Sequence, residues 1–164
     1  MSLVRVEAAF ETCERHLTET GSLNSEIDAI LTSYLCATIY AAMESETQAI
    51  VAERAAKRAD DPHAANFAKT AARRLVRSIK IGELAGLAGH FDDSCKAAFQ
   101  KAVDGQTQAA WDNIMLNRHG VTHDEDEGAG SAISHLTFQE LKSKYADAMK
   151  VLDALRDAIA VEST

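Results

Sequence analysis

The stretch NSEIDAILTSYLCATIYAAMESETQAIVAERAAKRA, residues 24–59, decides the fold. Asn24 or Ser25 can cap a helix, and nothing after them interrupts one before about Ala59. Its first half is amphipathic, with Ile27, Ile30, Leu31, Tyr34 and Thr38 on one face. Further along it becomes apolar almost all round, with Leu35, Ile39 and Met43 on one side and Tyr40 and Val51 toward another. A helix apolar on several faces is buried on several faces. The small residues Ala41, Ala42, Ser45, Ala49 and Ala52 would let another backbone approach closely. The segment reads as the long central helix of a bundle, with room to meet a second subunit.

The flanking sequence agrees. Leu3, Val6, Phe10, Cys13 and Leu17 form a one-sided helical stripe that stops at Gly21. Asp61-Pro62 starts a third helix, whose inner face is expected to be Ala64, Phe67, Ala68, Ala71 and Leu75. Glycines at 82, 86 and 89 imply a short helix and turns, and Asp92 or Asp93 caps a brief helix through Val103. Thr107 opens a helix that reaches Arg118. Thr137 and Glu140 make a capping box for the last helix, carried by Phe138, Leu141, Tyr145, Met149, Leu152 and Ile159. Few aromatics, one proline and abundant alanine argue against a sheet. The expectation is a single all-α domain, a helical bundle over residues 1–164.

No run of about 18 apolar residues is present to span a bilayer. The N-terminus lacks a signal-peptide apolar core. Cys13, Cys36 and Cys95 are odd in number and without metal-ligand spacing, so they read as small buried residues in a reducing, cytoplasmic compartment. The formal net charge of −8 counts against nonspecific nucleic-acid binding. The charge is polarised, however. Lys69, Arg73, Arg74, Arg77 and Lys80 lie close together, either as a solvated face or as a track for an RNA backbone, and the acid concentrates in Asp124-Glu125-Asp126-Glu127.

Arg118 and His123, in Asn117-Arg118-His119-Gly120-Val121-Thr122-His123, are the candidate catalytic pair. Spacing alone does not select them, because Arg58 and His63 reproduce it. Context does: Trp111, Ile114 and Met115 define an apolar stripe, and Arg118 falls seven residues after Trp111, near the middle of it. A guanidinium on a buried stripe is costly unless paired or used. Gly120 then breaks the helix, and His123 is within a turn's reach. Histidine exchanges protons near neutral pH, and arginine matches phosphate oxygens. Together they suit attack of a ribose 2′-hydroxyl on the adjacent phosphodiester, leaving a 2′,3′-cyclic phosphate without a metal.

The run Arg118-His119-Gly120-Val121-Thr122-His123 resembles the signature of the HEPN superfamily, an arginine, a polar residue, three further residues and a histidine. Ile81-Gly82-Glu83-Leu84 through Phe91 to Trp111-Asp112-Asn113-Ile114 resembles its RiboL-PSP-type branch, as does the central helix with an acid after its apolar run, Tyr40-Ala41-Ala42-Met43-Glu44. The resemblance implies a helical endoribonuclease without cofactor, usually a homodimer that joins two motifs in one composite cleft. It implies a setting in toxin–antitoxin pairs, phage defence or RNA processing, with RNA as substrate and a cognate antitoxin as a further partner. Arg118 and His123 would be catalytic, with His119 and Glu44 supporting, and RNA contact would fall to Arg73, Arg74 and Arg77 if the basic cluster is a track rather than a solvated face.

Three other readings compete, the blandest being a helical protein in which the motif is accidental. His119 and His123 with Asp124 or Asp126 could hold zinc, although Gly120 weakens the helix this needs, and no metal is expected. A catalytically silent HEPN domain would serve as a dimerisation or partner-binding module.

Overall fold

The computed structural model describes residues 3–57, 59, 61–119 and 136–160, without the side chains of residues 118 and 119. It is all-helical: α1 (Val4–Thr20), α2 (Glu26–Ala56), α3 (Pro62–Leu75), α4 (Ile81–Gly89), α5 (Asp93–Ala102), α6 (Gly105–His119) and α7 (Phe138–Ala160). No strand occurs among the described residues.

Local chemistry sets most of the boundaries. Gly21 ends α1 in the left-handed region at φ 63°, where a side chain would be strained. The Asp61 carboxylate accepts from the amides of His63 and Ala64, with Pro62 at the first helical position. Asp92 accepts from the Ser94 amide, and Asp104 from that of Thr107. Thr137 and Glu140 close the expected capping box, each amide donating to the other's side chain. These amide bonds, with hydroxyl bonds to Asp92, Asp104 and Glu140, hold the three carboxylates below their ordinary pKa. The stabilisation they give is therefore present above the unfolded value and fades as pH falls through the folded one.

The bundle packs around α2 and α7. α2 touches α1, α3, α6 and α7, as expected of a central helix. Its core side is Leu35, Cys36, Ile39, Met43 and Ile50, and α7 supplies Phe138, Leu141, Leu152 and Leu155. α2 and α7 run parallel. Asp28 near the start of α2 accepts from the Phe138 amide at the start of α7, while Arg54 near its end donates to the Ile159 carbonyl. Arg156 and Glu46 form an ion pair between the same helices at 2.9 Å. The three cysteines are free and buried, and burial raises the Cys36 thiol to about 11.

Two expected faces turn out differently. Ile27, Ile30 and Tyr34 do not face the core but stand 44%, 61% and 57% exposed, because the side of α2 bearing Asp28, Thr32 and Leu35 is turned inward. On α3, Phe67 and Leu75 are exposed and Ala64 with them, whereas Ala72 is buried and Ala65, Ala68 and Ala71 are partly covered. α3 approaches α2 through its alanines, so close backbone packing prevailed over burial of the larger side chains.

The Tyr145 hydroxyl is buried with no hydrogen-bond partner among the described residues. Burial raises its pKa; the nearby Leu3 amide partly counters this without completing a sound hydrogen bond. Tyr145→Phe removes a group with nothing to bond, so it is expected to leave stability unchanged or raise it by up to about 1 kcal/mol. A urea melt giving a loss above that range would show a partner for the hydroxyl.

Candidate functional site

The candidate site begins at the end of α6. Thr107, Ala110, Trp111 and Ile114 are buried on one face of this helix. The Trp111 indole donates to the Ile79 carbonyl at 2.8 Å, fixing α6 against the chain between α3 and α4. Arg118 follows Ile114 by four residues and Trp111 by seven, so its Cα lies on the core-facing register. Leu116, between these positions, is 64% exposed, which marks the opposite side.

The last turn of α6 is pinned. The Asn117 amide group donates to the Asn113 carbonyl, and its oxygen accepts from the Leu136 amide at 3.3 Å. The chain therefore leaves α6 and re-enters the described structure beside the same turn. Asp28 completes the arrangement. This carboxylate is 3% exposed and accepts from the amides of Asn24 at 2.9 Å and Phe138 at 3.3 Å, and from the Thr32 hydroxyl at 3.0 Å. It joins the start of α2 to the start of α7, the helix that follows the motif. Asp28 is a structural residue that reading the sequence missed; the available signal was an acid seven residues before Leu35 and eleven before Ile39, in register with that apolar side of α2.

Asp28→Ala leaves three donors without their acceptor and is expected to cost roughly 2–4 kcal/mol, read from chemical melts. A loss below about 1 kcal/mol would mean that water replaces the carboxylate and that the two helix starts are held by packing.

The remaining expected site residues distribute as follows. His123 lies outside the described residues, as do the side chains of Arg118 and His119. Glu44 is partly buried on α2, sixteen residues beyond Asp28, or about 24 Å of helix. No hydrogen bond or ion pair joins it to a described side chain of α6. Arg73, Arg74 and Arg77 are all exposed. The first two occupy the last turn of α3, where cations offset the helix dipole, so their placement also has a purely structural account. α3 is about 21 Å long and turns back from the end of α2, which sets these arginines beside the middle of α2 and away from Asp28. Arg77 borders a small notch of about 80 Å³ with Ser78, Glu83 and His90. His63, of the competing Arg58 pair, is exposed in the first turn of α3, and Arg58 lies outside the described residues.

No family model, curated protein or solved structure matches this chain. Among the described residues, no three His, Cys, Asp or Glu side chains gather as metal ligands. No described helix is long and apolar enough to cross a membrane.

Proposed function

We propose that this chain is a metal-independent endoribonuclease of the HEPN type, with Arg118 and His123 as its catalytic residues and His119 in support. The observation that carries the reading is the register of Arg118, four residues after fully buried Ile114 and seven after fully buried Trp111. A cation at such a position is retained at a cost of several kcal/mol unless it meets an anion, and a phosphodiester is one it can meet. His123 would take the proton of the ribose 2′-hydroxyl and Arg118 would neutralise the charge gathering on phosphorus oxygens. Bond formation from the 2′-oxygen to phosphorus expels the 5′-oxygen of the next nucleotide and leaves a 2′,3′-cyclic phosphate. Arg73, Arg74 and Arg77 would extend contact along the RNA backbone.

In the form this reading takes, two chains place their motifs in one cleft. A toxin held by a cognate antitoxin, or a phage-defence effector, is the matching biological setting. The test is cleavage of a labelled RNA by purified protein in excess chelator, with the cyclic phosphate identified on the product. Mixing inactive Arg118→Ala with inactive His123→Ala should restore part of the activity if the cleft is composite.

A second reading, a catalytically silent partner-binding module, is favoured by one observation. Ile27, Ile30, Tyr34 and Val4 leave a continuous apolar face open on α1 and α2. A folded wild type inert on varied RNAs would decide for it.

A further inference from the structure

We infer that the open face of α2 binds the same face of a second copy of this chain, antiparallel, about a two-fold axis between Ala37 and Thr38. This goes beyond the reading of residues 118–123 and does not depend on it.

Three observations carry the inference. First, the face is large. Val4, Leu23, Ile27, Ile30 and Tyr34 are 75%, 45%, 44%, 61% and 57% exposed. They leave on the order of 500 Å² of apolar side chain in water, near the upper end for the largest patch on a monomer. A standard stable interface takes ~800 Å² from each partner, so the contact must also take in the small residues beside them, Ala37, Ala41 and Ser45.

Second, the face is graded. Ile27, Ile30 and Tyr34 occupy its N-terminal half, while Ala41 and Ser45 continue the same side of the helix toward the C-terminus. Beside Tyr34 to Glu46 the surface is hollow, a groove of about 690 Å³ walled by Leu3 and by Val4, Arg5, Val6 and Ala9 of α1.

Third, the gradation is self-complementary. A two-fold contact must match a surface to itself. When α2 meets α2 antiparallel with Ala37 opposite Thr38, Tyr34 falls opposite Ala41, Ile30 opposite Ser45 and Ile27 opposite Gln48. Each large side chain of one copy then enters the shallow half of the other. A parallel pairing, or a shift toward Ile30, would set large against large and leave the groove empty. Tyrosine suits the centre of such a contact, offering a broad apolar ring with few rotamers to immobilise.

In this register the two Asp28 positions stand roughly 28 Å apart along α2. The contact is therefore separate from any cleft that joins two copies of residues 118–123.

The experiment is sedimentation of the full chain at roughly 10–100 μM, a range in which an interface of this size holds together. The wild type is expected at no less than twice the 17.7 kDa chain mass. Tyr34→Arg and, independently, Ala41→Arg should halve the assembled mass, with thermal melts confirming that both variants fold. Under mild oxidation Ala37→Cys should link to itself, and Ile30→Cys should link to Ser45→Cys but not to itself. A wild-type monomer, an assembly indifferent to both arginine substitutions, or self-linkage of Ile30→Cys would each overturn the inference. RNA cleavage assayed on the same variants reports on Arg118 and His123 separately, so either idea can fail alone.

Discussion

His123→Ala should slow RNA cleavage by about 10²–10⁴-fold, the usual share of a positioned proton-transfer group. The substituted residue follows the last residue of α6 by four positions and is not part of its buried stripe, so thermal melts and helical content should match the wild type. Arg118→Ala should be comparably slow, at about 10²–10³-fold, because stabilising charge in the transition state is worth that much when a fixed cation supplies it. Arg118→Lys should recover little, since an ammonium offers no planar fork for two phosphate oxygens. Excess chelator should leave the wild-type rate unchanged. Cleavage that stops with chelator would transfer the chemistry to a metal, and a His123→Ala protein with undiminished rate would remove the histidine from the reaction.

The largest effect on stability is expected at Trp111. Its side chain is wholly buried, and its indole nitrogen donates to the Ile79 carbonyl. Trp111→Ala opens a cavity between α6 and the chain before α4, at a cost of roughly 3–5 kcal/mol. That is a substantial share of the stability of a domain this size, about 5–15 kcal/mol. Trp111→Phe keeps most of the apolar volume but leaves the carbonyl without its donor, and about 1–3 kcal/mol should be lost. Denaturant midpoints of the two variants separate the terms. A Phe variant as unstable as the Ala variant would show that the hydrogen bond, rather than volume, anchors α6. The same substitutions should slow cleavage even in the folded fraction, because Arg118 is two turns further along the helix that Trp111 holds in place.

The helical architecture was legible because its signals are local. Proline after Asp61, aspartate before Ser94, and threonine three residues before Glu140 each place a helix start within the backbone they bond. The stripe of α6 was legible too, since Trp111, Ile114 and Met115 together outweigh the lone Leu116 on the other side of that helix. The outward turn of Ile27, Ile30 and Tyr34 was not. α2 offers two apolar sides, and periodicity cannot say which one meets the bundle when both would pay to be covered. For α3 the alanines decided the packing, and alanine carries too little hydropathy to outweigh Phe67 in a sequence pattern. Asp28 stayed hidden for a related reason. A first-turn acid is ordinarily a solvated complement to the helix dipole, and its partner at Phe138 is 110 residues away. Of the site itself, the register of Arg118 could be read from sequence and is held by the buried stripe, while the role of Glu44 rested on resemblance and that of the α3 arginines on charge clustering, which a solvated face explains as well.

The shared orientation of α2 and α7 has an electrostatic consequence. Their N-termini lie side by side next to the end of α6, so the partial positive charges of two helices add at that end of the bundle. Such a place would ordinarily draw an oxyanion. Here the protein supplies its own: the Asp28 carboxylate already accepts from the Phe138 amide and from Asn24 just ahead of α2. The favourable potential is spent internally on holding two helices in register. A phosphate approaching this end would meet that fixed negative charge, so its attraction would have to come from cationic side chains and would weaken as ionic strength rises.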